Sequence, residues 1–121
     1  MRQGTAYRKQ AQLFRALSHP MRLYILDILS RQEACVCHLT SVLDQRQPYV
    51  SQQLAALRQA GLVADRREGN LIYYRLADDQ VAELLGSARL LALGIDGHGL
   101  VFPPIPESAV AGCPCPRCQQ S

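Results

Sequence analysis

A mainly α fold with one small β-hairpin is what this chain predicts, and three observations carry it. Apolar residues recur at helical spacing in five separate stretches. Pro20 and Pro48 stand where two of those stretches begin, the position in a helix that tolerates proline best. Strand-like runs occur only as a pair, on either side of a turn containing Gly69.

The first helix is expected over about residues 5–17, with Tyr7, Ala11, Phe14 and Leu17 on one face. Ser18 then reads as the N-cap of a second helix, in which Met21, Tyr24, Ile25, Ile28 and Leu29 form the apolar side. A short third helix spans about 34–44, buries Val36, Leu39 and Leu43, and carries Cys35 and Cys37 in its first turn. The run "QPYVSQQLAALRQAGLV" gives a fourth: Val50, Leu54 and Leu57 repeat at i, i+4 and i+7, and Gly61 stops it. "LVADRR", "EGN" and "LIYYRL" follow as the hairpin, tipped by Arg66, Arg67 and Asn70. A fifth helix over about 78–93 bears Val81, Leu84, Leu85, Ala88, Leu91 and Ala92, a stripe wide enough to pack on a partner helix.

The 121 residues therefore divide into a folded unit, 1–93, and a Gly- and Pro-containing flexible tail, 94–121, that ends in "CPCPRC". A domain this small gains from a partner subunit that covers apolar surface. No apolar run matches a secretory leader or approaches the roughly 20 residues of a membrane span, so the expected location is cytoplasmic, with no membrane partner. The formal charge of +3 suits an anionic partner without requiring one.

Two short helices joined by a tight turn, the second with a polar face, and a basic hairpin directly after them make a winged helix-turn-helix. That polar face comprises Gln47, Tyr49, Ser51, Gln52 and Gln53. Glutamine matches adenine edges in the major groove, so Gln52 or Gln53 suits base contact; Arg58, Arg66 and Arg67 suit phosphates. The implied partner is double-stranded operator DNA.

The motifs "LFRALSHPMRLYILDIL", "CVCHL", "VSQQLAALRQAGLV" and "REGNLIYYRL", in this order over about residues 7–90, resemble the ArsR/SmtB family of metal-sensing transcriptional repressors. The resemblance implies a homodimer joined through the first and last helices. It implies repression relieved by a metal or metalloid ion, and it marks "ACVCHL" as the sensing motif. Where relatives place zinc-type ligands on the last helix, Asp78 fits the pattern, but Gln80, Leu91 and Gly94 do not. A third motif cysteine found in arsenic-responsive relatives is replaced by Thr40.

Regular helix geometry sets positions i and i+2 about 200° apart, so Cys35 must lie outside the regular turn if it is to share an ion with Cys37. A helix start permits this and favours thiolates. As(III) or Sb(III) takes about three sulfurs, and Cd(II), Pb(II) or Zn(II) three or four, so further donors are needed. Cys113, Cys115 and Cys118 are the remaining source, at C-x-C-x-x-C spacing. The 19 residues from Gly94 to Gly112 extend to about 60 Å and average about 25 Å as a coil, enough to reach either subunit's third helix.

The expected effector is thus As(III)/Sb(III) or Cd(II)/Pb(II), with Zn(II) possible. One alternative on the same scaffold is a thiol-based redox or reactive-sulfur sensor; a second is a metal-buffering protein that does not bind DNA. His38 is expected at the surface, and His19 beside the cap of the second helix. Enzymatic chemistry is not expected: Cys115-x-x-Cys118 lies in a Pro-rich tail, outside the strand-helix setting of thiol oxidoreductases, and no acid/base constellation is present.

Overall fold

The computed structural model describes residues 2–96 and 99–106. Its elements run α1 (Arg2–Leu17), α2 (Pro20–Arg31), β1 (Ala34–Cys35), α3 (Val36–Leu43), α4 (Gln47–Gln59), β2 (Val63–Glu68), β3 (Leu71–Leu76) and α5 (Asp79–Asp96). Among the described residues are five helices and the expected hairpin. The hairpin gains a third, two-residue strand: the antiparallel sheet has the order β1-β3-β2, with Ala34 opposite Tyr74 and Cys35 opposite Tyr73.

Central to the core is α2, whose Ile25, Leu26, Ile28 and Leu29 are all buried. Pro20 opens it as expected, with His19 rather than Ser18 at the N-cap in an extended conformation. The α3–α4 connection is three residues, Asp44–Arg46. It is tight because Asp44 takes a left-handed conformation and its N–H donates to the Thr40 carbonyl, closing the end of α3. Leu39, Val50, Leu54 and Leu57 are fully enclosed between α2, α3 and α4.

Gly61, at φ 79°, turns the chain from α4 into the hairpin. At its far end, Gly69 and Asn70 form a two-residue loop in which Gly69 supplies the positive φ of 60°, the pattern of a type II′ turn. Asp78 caps α5, its Oδ1 accepting from the Gln80 N–H at 2.8 Å. Both outer helices are longer than their patterns suggested, α1 starting at Arg2 and α5 reaching Asp96. Beyond α5, Phe102 stacks on the Arg89 guanidinium at 3.8 Å, Arg89 pairs with Asp27 of α2 at 2.6 Å, and Ile105 packs against the core. No helix among the described residues is long and apolar enough to cross a membrane.

Candidate effector and nucleic-acid sites

Cys35 lies at the junction of strand and helix. Its backbone is extended, at φ −79° and ψ 162°, and pairs with Tyr73 of β3. Its Sγ accepts the His38 N–H at 3.3 Å, so the thiol acts as the N-cap of α3. This corrects the expected helix start at 34: residue 35 is outside the helical turn, which frees it from the 200° separation from Cys37. Cys35 is 1% exposed, whereas Cys37 is half-buried.

Both cysteines line a cleft of about 140 Å³ together with Val36, Gln47 at the start of α4, and Asn70, Leu71 and Ile72 of the hairpin. One small space therefore joins the cysteine pair to the two elements with which a winged helix meets DNA. Two sulfurs are fewer than the three or four that a soft ion takes. Among the described residues no group of three His, Cys, Asp or Glu side chains is placed to complete such a set. Cys113, Cys115 and Cys118 lie outside the described residues. On the last helix, Asp78 is engaged as a cap and Leu91 is exposed.

His38 is 5% exposed, not at the surface as the sequence suggested, because with Leu39 and Leu43 it forms the inward face of a helix only eight residues long. His19 stands at the α2 N-cap without capping through its side chain, and its buried Nδ1 has no hydrogen-bond partner among the described residues.

On α4, Gln47, Ser51 and Gln52 are exposed and Tyr49 is half-buried. Gln53 departs from that face. It is 8% exposed, and its Oε1 accepts from Arg22 Nε at 2.8 Å. The helical spacing held this signal, since Gln53 stands three residues after Val50 and four before Leu57, inside the apolar stripe.

The basic side chains around the hairpin differ in how they are engaged. Arg58 pairs with Asp65 at 3.2 Å. Arg66 donates to both Glu33 oxygens, at 2.9 and 2.6 Å, and to Glu68 at 2.7 Å, while stacking 4.6 Å from the Tyr73 ring centroid. The hydrogen bonds that Arg66 donates to Glu33 and then to Glu68 push its pKa above its ordinary value, so the side chain stays cationic. Arg67 makes no ion pair among the described residues. Burial, followed by the nearby Asp65 charge, raises the Tyr74 pKa. Arg46, which the sequence reading did not single out, is exposed at the start of α4; its position just before the Gln47–Pro48 helix start was the available signal.

A reading helix held on a tripartite core, with a hairpin wing beside it, defines a winged helix-turn-helix DNA-binding regulator. The family model described as "Bacterial regulatory protein, arsR family" matches residues 19–65. The biofilm growth-associated repressor of Agrobacterium fabrum is 48% identical over 73 residues, 60% of this chain and 62% of that one. The arsenical resistance operon repressor of Escherichia coli is 48% identical over 67 residues, 54% and 57% of the two chains. This chain thus spans somewhat under two thirds of those two relatives. A homodimeric winged helix-turn-helix DNA-binding domain from Mycobacterium bovis, a possible ArsR-family regulator, superposes with a TM-score of 0.75 at 31% identity, covering 84% of this chain and 94% of that one.

The chain belongs to the ArsR/SmtB family of transcriptional regulators, a family of DNA-binding proteins and not of enzymes.

Proposed function

We propose that this protein is a cytoplasmic, homodimeric repressor that leaves its operator when a thiophilic metal(loid) ion binds Cys35 and Cys37. The favoured ions are As(III)/Sb(III) or Cd(II)/Pb(II), and the remaining sulfurs come from Cys113, Cys115 and Cys118. The observation that carries the reading is the shared cleft: the cysteine pair is walled by Gln47 of α4 and Asn70 of the wing. In this reading Gln47, Tyr49, Ser51 and Gln52 face the major groove, while Arg58, Arg66, Arg67 and Asn70 meet the backbone or minor groove. Gln53 is reassigned to holding α4 in place. Dimerisation through α1 and α5 brings two reading helices to half-sites about one helical turn apart.

Coupling follows from geometry and linkage. Drawing Cys35 toward Cys37 strains a residue whose sulfur caps α3 and whose backbone is paired with β3, so reader and wing both shift. An ion acts this way only if it binds the DNA-incompetent state more tightly, and DNA then weakens ion binding by the same factor.

The test is release of promoter DNA from the reduced full-length protein titrated with arsenite or Cd(II), beside the Cys35→Ser, Cys37→Ser double variant. Release by wild type alone supports the assignment; unchanged release in the variant sinks it. Counting thiols protected in the loaded protein reads how many tail cysteines take part, and two protected thiols would remove the tail from the site.

A further inference from the structure

We propose that Arg22 is a positioning residue for the reading helix, locking the roll of α4 against the C-terminal end of α1. This rests on the reading of α4 as the DNA-contacting helix. One guanidinium makes two directional contacts: Nε donates to Gln53 Oε1 of α4 at 2.8 Å, and Nη1 donates to the Ala16 carbonyl of α1 at 3.3 Å. That carbonyl belongs to the last turn of α1, where no intrahelical N–H is available and a cation is favoured. The planar fork of arginine holds both acceptors in a fixed relation, which a lysine ammonium does not.

Two features argue that these contacts serve α4 and α1 rather than α2. Arg22 stands third in α2, where the helix dipole disfavours a cation, and the first turn of α2 holds no acidic residue to offset it. Gln53 occupies a position of the α4 stripe otherwise taken by Val50, Leu54 and Leu57, and a buried amide there is costly unless bonded. The apolar neighbours alone leave roll loosely fixed, because hydrophobic burial is non-directional. The consequence is geometric. A roll of about 20° carries side-chain tips roughly 6 Å from the helix axis through about 2 Å, and a base-edge hydrogen bond tolerates only a few tenths of an ångström.

The experiment uses the reduced full-length protein, the tightest duplex that wild type selects from a random-sequence pool, and an unselected duplex. Arg22→Met and Gln53→Met are each expected to bind the selected duplex about tenfold more weakly, with unselected binding and the salt slope unchanged. The double variant should be no weaker than either single one, and Gln53→Glu, which keeps an acceptor, should stay within about threefold of wild type. Arg22→Lys, which preserves charge and bulk, should lose affinity like Arg22→Met and covers the case where the methionine variant fails to fold.

Weakening by Gln53→Met with normal binding by both Arg22 variants would make Gln53 a base reader and overturn the proposal. Parallel loss on both duplexes, or loss that vanishes once the unfolded fraction is subtracted, would overturn it as well. A pool from which wild type enriches no sequence would instead sink the DNA-contacting role of α4.

Discussion

The centre of the molecule and its periphery are built differently. Around α2, α3 and α4, Ile25, Leu26, Leu39, Val50, Leu54 and Leu57 are wholly enclosed by their own chain. On α1 and α5, by contrast, Tyr7 is 71% exposed and Ile95 79%, with Phe14, Leu90 and Leu91 also open. The wing carries exposed arginines in place of apolar residues. The centre is finished by one chain, whereas the periphery has the composition of surfaces that something else completes: apolar where a second copy is proposed, cationic where DNA is proposed.

The largest effect should come from opening the centre. Leu54→Ala removes a fully enclosed side chain beneath the reading helix and should cost about 2–5 kcal/mol in urea unfolding. A loss below about 1 kcal/mol would mean that the centre is looser than its burial implies. Next in size is the α5 face. Leu91→Glu with Ile95→Glu places charges on two of its open apolar positions and should weaken self-association by at least about 100-fold in sedimentation, each buried aliphatic side chain being worth about 1.5–3 kcal/mol. The circular dichroism of the separated chain should persist, since neither residue belongs to its core. Unchanged assembly would move the dimer contact away from α5.

The same contrast explains what was legible in the sequence. Helix α4 was plain, because Pro48 and the spacing of Val50, Leu54 and Leu57 agree on one helix, and the Gly69 turn fixed the hairpin. The strand β1 was not, since two residues are too short to show alternation, and only pairing with Tyr73 and Tyr74 makes Ala34 and Cys35 a strand. Gln53 and His38 were misplaced for a common reason: each is polar by type yet falls on the inward side of its helix, where a long-range partner or tight enclosure settles its fate. On the expected face of α1 only Leu17 is buried, and a single chain leaves Tyr7, Ala11 and Phe14 uncovered. In the candidate site, the special place of Cys35 at a helix start was readable, whereas the walls contributed by Gln47 and Asn70 come from tertiary packing alone.

A smaller effect tests the seam between centre and periphery at Cys35. Its sulfur accepts the His38 N–H, so Cys35→Ala should destabilise the fold by about 1 kcal/mol, the usual worth of an N-cap. Cys35→Ser keeps an acceptor there and should lie within about 0.5 kcal/mol of wild type. If alanine and serine behave alike in chemical denaturation, the cap contributes nothing and the cysteine is held by its strand pairing.

The smallest effect on folding is expected from Arg66, despite its many contacts. It bonds Glu33 and Glu68 and stacks on Tyr73, yet the site is open to water, where ion pairs are screened and their attraction is offset by the ordering of long side chains. Arg66→Gln should leave the urea midpoint of the protein in place. Its effect should appear on DNA instead, where a wing arginine exchanging its carboxylates for a phosphate releases one counterion. Loss of that contact should lower the salt slope of binding by about 1 and weaken selected and unselected duplexes alike. A shifted midpoint with an unchanged salt slope would reverse the assignment, making Arg66 part of the fold's own framework through Glu33 at the entry to β1 and leaving Arg67 as the wing's phosphate contact.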